Sequence, residues 1–182
     1  MTASPPLRYD VEPMIDASKL KVIHYPDPRL RKIAAPIPSI TPEIRSVALR
    51  MIELMHDERG VGLAAPQVGV PWRLFVANPT GQAGDDRVFV NPVLRDEGQE
   101  VEPYEEGCLS LPDIRAEIRR PKVITIDAAD LEGNVFTLTS AALPARVWQH
   151  ETDHLNGVLI IDRMTMMDKL ANRKKIKELE AG

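Results

Sequence analysis

Cysteine is almost missing from this 182-residue sequence, where Cys108 stands alone. A lone thiol excludes an internal disulfide framework and suits a reducing compartment. It leaves Cys108 as a buried filler, a surface thiol, a nucleophile or a metal ligand. No apolar run approaches the roughly 20 residues that span a bilayer. The N-terminus has no apolar signal core, and Asp10, Glu12 and Asp16 argue against an acid-poor transit peptide, so a cytoplasmic location is expected. Internal repeats and low-complexity tracts are absent as well. A net charge of −4 gives no bulk reason to expect nucleic-acid binding.

What remains is ordinary globular material, 43% hydrophobic and 27% charged. The length fits one domain, expected over residues 19–182, behind an extended arm at 1–18 that holds Pro5, Pro6 and Pro13 and no apolar period. Residues 20–23 read as a short strand, and Pro26 and Pro28 force turns after it. Thr41-Pro42-Glu43 is a helix start: a capping hydroxyl, proline at the first helical position and an acid in the first turn. Ile44, Val47, Ala48, Met51, Leu54 and Met55 then recur at helical spacing, with Gly60 placed to end the helix. His24 and His56 read as ordinary surface or core histidines. Gly60 to Gln67 follows, with small residues that leave room beside the backbone and one amide, Gln67, able to donate a hydrogen bond. It lacks the lysine and hydroxyl of a phosphate loop and serves equally as a tight corner.

Strands are predicted at 72–77 and 87–90, broken by Asn91-Pro92 and resumed at 93–96. Residues 105–110 form a short segment stopped by Pro112. The β-rich runs 123–127 and 135–138 flank hairpin chemistry at 130–134. A helix should start between Ser140 and Pro144 and stop at Asn156-Gly157, and 158–161 is a short buried run. Thr165 to Asp168 resembles a capping box opening a C-terminal helix to about Glu180. Lys169, Arg173, Lys174, Lys175 and Lys177 make it basic, either as a solvated face or as a patch for a polyanion.

His150-Glu151-Thr152-Asp153-His154 lies on the penultimate of these helices. Residues four apart share a helix face, so His150 and His154 can aim two imidazoles at one point. Glu151 projects about 100° around the helix from His150, close enough to act on whatever that point holds. Two imidazoles and a neighbouring carboxylate are the parts that metal-dependent hydrolysis needs. Leu143, Val147 and Leu155 bracket the histidines and put them at the buried face. A catalytic metal commonly has three protein ligands and one open position, and Cys108 is available as the third.

Three segments together resemble the peptide deformylases: Gly60 to Gln67 as G-x-G-L-A-A-P-Q, Glu106 to Ser110 as E-G-C-L-S, and Gln149 to His154 as Q-H-E-x-D-H. Tyr25 to Pro28 also looks like that family's N-terminal turn. The likeness covers about residues 20–165, and the arm and the basic C-terminal helix stand outside it. It implies an α+β fold, with antiparallel β-sheets packed around a central helix carrying H-E-x-x-H and with an N-terminal and a C-terminal helix. It implies Cys108, His150 and His154 as ligands of one divalent metal ion, ferrous iron, with zinc or nickel able to occupy the site. Ligand type alone would suit zinc. By the same likeness Glu151 is the general acid/base, and Gln67 with the backbone N–H of Leu109 stabilises the developing oxyanion. Gly62 and Gly107 mark the two edges between which a peptide lies extended. The reaction implied is removal of the N-formyl group from the initiator methionine of nascent polypeptides, with release of formate. Val61, Leu143 and Val147 are candidates for the methionine pocket, and the basic C-terminal helix is a candidate for ribosome contact. Two rivals stand beside this reading. A zinc endopeptidase would take a distant His or Glu as third ligand, and a non-catalytic binding module would have no need of Glu151, Gln67 and Cys108 together.

Overall fold

A computed structural model describes residues 14–96, 98 and 100–182. Its first regular helix, α1 (Pro42–Asp57), is capped by the Thr41 side chain, which accepts from the Ile44 N–H, and all six residues of its apolar stripe are buried. Strands β1 (Gly62–Ala64), β2 (Leu74–Ala77), β3 (Arg87–Asp96), β4 (Val101–Cys108), β5 (Leu111–Pro121), β6 (Ile124–Ala129) and β7 (Val135–Ser140) follow. The chain closes with α2 (Leu143–Leu155), the short α3 (Ile160–Arg163) and α4 (Met166–Ala181). Five strands pair antiparallel in the order β1-β2-β3-β6-β7, and β4 pairs with β5 in a separate two-stranded sheet.

The larger sheet is covered on both faces. Leu63, Leu74, Val76 and Val90 point to α1 and pack on its stripe. Their neighbours Ala64, Phe75, Ala77 and Phe89 point the opposite way, onto Ala145, Val147, Trp148 and Leu155 of α2. That double burial explains why β1 and β2 are continuous apolar runs and do not alternate. A third core joins β5 to α3 through Leu111, Ile114, Ala116, Ile118, Leu159 and Ile160. The α+β architecture, antiparallel sheets around the H-E-x-x-H helix, is thus the one expected.

Several local expectations differ from the structure. Residues 20–23 form no strand; this stretch is held by the Ile23 N–H donating to the Gln67 carbonyl at 2.8 Å. Residues 1–13 of the expected arm lie outside the described residues, while Ala17–Lys19 make a 3-10 turn capped by Asp16. At the end of α1 the left-handed residue is Arg59 (φ 56°) and not Gly60, whose N–H donates to the Met55 carbonyl at 2.8 Å. Asn91-Pro92 does not end a strand but bulges β3, because Asn91 (φ 50°) clamps Ile37 by donating to its carbonyl and accepting from its N–H. Pro112 does not stop the chain from entering β5, an 11-residue strand in which Ile114, Ala116 and Ile118 alternate inward against Arg115, Glu117 and Arg119. Among the described residues no helix is long and apolar enough to cross a membrane.

Candidate metal centre and active-site cleft

Helix α2 presents His150 and His154 on one face, their rings 5.0 Å apart between centroids. Cys108 enters from the end of β4, where the β4–β5 register shifts between Gly107 and Cys108 and the chain turns through Leu109. The thiol Sγ stands 3.3 Å from His154 Nε2, and one donor atom from each of Cys108, His150 and His154 lies within 4.8 Å of the others. Burial, with the neighbouring His150, holds His154 well below the usual histidine range, which favours the neutral imidazole, the form that ligates metals. Burial opposes charge on His150 as well, but Cys108 on one ring nitrogen and Glu106 on the other pull it well above that range. A thiolate and two imidazoles of this spacing fit a divalent cation of borderline softness.

Glu151 is buried beside the donors, and burial pushes its carboxyl up to about 7. That is the range in which a carboxylate can both take and return a proton near neutrality. Its Oε1 occupies the space that a side chain at residue 62 would need: a methyl group there would collide with it and would stand 2.9 Å from Val147 Cγ1. Glycine at 62 is therefore a requirement of the site. Gln67 is fixed by its Oε1, which accepts from the Ala64 N–H at 2.8 Å. Its Nε2 consequently faces the donors, 3.2 Å from Ser110 Oγ and 3.6 Å from Cys108 Sγ.

These groups open on a cleft of about 640 Å³. The site residues expected from the sequence line it, except the buried His154: Val61, Gly62, Gln67, Gly107, Cys108, Leu109, Leu143, Val147, His150 and Glu151. Gly62 belongs to β1, an edge strand of the larger sheet, and Gly107 to β4 across the cleft. Val147 is buried, whereas Val61 and Leu143 are about 40% exposed and form the rim of its apolar patch.

Sequence reasoning missed the groups behind the ligands and one wall of the cleft. Glu106, quoted only as part of a motif, accepts from Arg120 through both oxygens at 2.7 and 2.9 Å and meets His150 Nδ1 at 3.0 Å. Burial works against its ionisation, but Arg120 and His150 outweigh it and keep the carboxyl far below its ordinary range. Arg146 stacks on Tyr104, with 5.2 Å from its guanidinium carbon to the ring centroid, and both line the cleft. The signal for Arg120 lay in the alternation of β5, which turns residue 120 to the inner side, where an arginine needs a carboxylate partner. His24 and His56 stay outside the donor set; His56 meets Asp86 at 2.7 Å on the surface.

A two-histidine, one-thiolate donor set beside a buried glutamate, in an α+β frame, defines a metal-dependent hydrolase. Residues 19–170 match the polypeptide deformylase family model. The chain is 41% identical over 160 residues to the peptide deformylase of Psychrobacter arcticus, covering 88% of this chain and 87% of the relative. It is also 41% identical over 163 residues to peptide deformylase 1B, chloroplastic/mitochondrial, of Arabidopsis thaliana, where it spans 88% of itself but 60% of that longer protein. The solved peptide deformylase of Plasmodium falciparum superposes with a TM-score of 0.85 at 34% identity, over 88% of this chain and 95% of that one. The chain belongs to the polypeptide deformylase family, hydrolases that remove the N-formyl group from nascent peptides.

Proposed function

We propose that residues 19–182 form a single catalytic domain and that deformylation takes place in the cleft between Gly62 and Gly107. Cys108, His150 and His154 hold one divalent ion, Glu151 moves the proton, and Gln67 with the Leu109 N–H receives the oxyanion. The observation that carries this assignment is the convergence of three donor atoms within 4.8 Å, flanked by a buried glutamate and an oriented amide. The ion contributes Lewis acidity, which polarises a carbonyl and lowers the pKa of water from about 16 towards roughly 7. Glu151 accepts the proton of the attacking water and returns it to the departing α-amine, so formate and a free N-terminus leave together. Gln67 Nε2 donates to the formyl oxygen as charge builds on it. The peptide lies extended along the edges at Gly62 and Gly107, bonded through its backbone and therefore with little demand on sequence. Val61, Leu143 and Val147 receive the methionine side chain, with Tyr104 and Arg146 as a further wall.

Ferrous iron is the ion proposed, following the family likeness, with zinc or nickel able to take its place. A thiolate beside iron makes activity oxygen-sensitive. The test is formate release from formyl-Met-Ala, set against its acetylated twin and an internal peptide, with protein purified without oxygen. Equal or preferential cleavage of the internal peptide would overturn the assignment in favour of an endopeptidase. No formate from metal-loaded protein would favour a binding module. Cytoplasmic residence, where nascent chains are made, is proposed with it, and so is a transient ribosome contact through α4. Its exposed face carries Lys169, Arg173, Lys174 and Lys177 with Met166, Met167 and Leu170. Salt-sensitive co-sedimentation with ribosomes, lost on reversing those charges, is the expected sign; unchanged co-sedimentation would remove it.

A further inference from the structure

Arg120 is the most buried cation near the site, with its side chain 3% exposed, and the proposed chemistry makes no use of it. It grips two carboxylates at once. Nε and Nη2 donate to Glu106 at 2.7 and 2.9 Å, and Nη1 donates to Asp153 Oδ2 at 2.7 Å. Glu106 stands two residues before Cys108 on β4, and Asp153 stands beside His154 on α2. The Cys108 half of the donor set and the histidine half come from two separate sheets' neighbourhoods, and Arg120 on β5 spans the gap between them. The outer sides of both carboxylates are closed by other arginines. Arg163 of α3 holds Asp153 through both oxygens, and Arg146 donates to Glu106 Oε1 at 2.8 Å.

We propose that Arg120 is a positioning residue: it ties β4 to α2 through Glu106 and Asp153 and so sets the separation of Cys108 from His150 and His154. The planar guanidinium meets this need because its fork reaches two acceptors in fixed directions, whereas an ammonium is a single point charge. The simpler role, that of a counter-ion for Glu106 alone, leaves the Asp153 bond without a purpose at the metal site. The inference rests on the proposed ligand set.

The two roles separate in metal affinity, measured on full-length Arg120→Lys and Asp153→Asn by chelator competition for Zn2+ and by the visible spectrum of the Co2+ form. Asp153→Asn leaves Glu106 and its contact with His150 in place and weakens the α2 end of the tie together with the Asp153–Arg163 pair. Arg163→Gln, which removes that pair alone, is the control that should leave Zn2+ affinity within about twofold of wild type. The tie predicts that both variants fold, bind Zn2+ about 10- to 100-fold more weakly and change the Co2+ spectrum. It also predicts that kcat falls while KM for formyl-Met-Ala stays within about twofold. Zn2+ affinity of Asp153→Asn within about twofold of wild type overturns the tie. So does failure of both variants to fold, since Arg120 would then be an element of the fold and not of the site. Wild type that binds no Zn2+ would instead overturn the ligand assignment.

Discussion

At position 62 the lack of a side chain decides where Glu151 can sit. The carboxylate fills the space a Cβ at residue 62 would take, and burial there raises it to about 7. Gly62→Ala forces the carboxylate or β1 to shift, and a displacement of about 1 Å near reacting atoms can cost roughly 100-fold in rate. The variant is expected to keep its metal and lose about 100-fold in kcat in a formate-release assay; an unchanged kcat would show that Glu151 does not need this seat. Gln67 is held by its Oε1, and its Nε2 lies beside Ser110 Oγ and Cys108 Sγ, where the proposed reading puts the oxyanion. Gln67→Ala should lower kcat by about 10²–10³ with a native circular dichroism spectrum, the usual loss for one oxyanion donor. A loss below tenfold would exclude that role.

β5 shows what an element contributes beyond its residues. Its inward side chains fill the third core, and the same alternation delivers Arg120 to the back of the metal site. Ile118 is fully buried, and Ile118→Ala is expected to cost about 2–5 kcal/mol in urea denaturation. A cost under about 1 kcal/mol would mean that the β4–β5 sheet is not clamped to the body. The strand itself was hidden in the sequence by Pro112, which suggested a stop, although Ile114, Ala116 and Ile118 carried a period-2 signal. By contrast α1, α2 and the β6–β7 hairpin were legible, because cap chemistry, apolar spacing and turn residues agree there. The donor set was legible as well: H-E-x-x-H is local, and a lone cysteine leaves one choice of thiol. What could not be read were contacts that exist only after folding. The Asn91 clamp on Ile37, the Arg120 bridge and the stacking of Arg146 on Tyr104 each join segments far apart in the chain.

At the scale of the whole molecule, the surface carboxyls of Asp27, Asp127 and Asp130 respond to acid in one direction. Hydrogen bonds from the Arg29 side chain and N–H draw Asp27 down to about 2. Thr137 and Arg95 lower Asp127, and the Asn134 side chain lowers Asp130. Each folded pKa lies below the ordinary 3.8, so the unfolded chain binds more protons as pH falls through that range. Their contribution is therefore complete above about pH 4 and lost between about 4 and 2. The urea midpoint should fall over that interval, and a midpoint that rose there would contradict the sign. The larger organisation is two sheets and one helix converging on three donor atoms, and the central claim is that these atoms hold the ion on which deformylation depends. The direct test is metal content and formate release measured together on protein purified without oxygen, for wild type and Cys108→Ala. One equivalent of divalent ion and formate release from formyl-Met-Ala are expected in wild type, with both lost in the variant; undiminished formate release from the variant, or from metal-free wild type, would contradict the account.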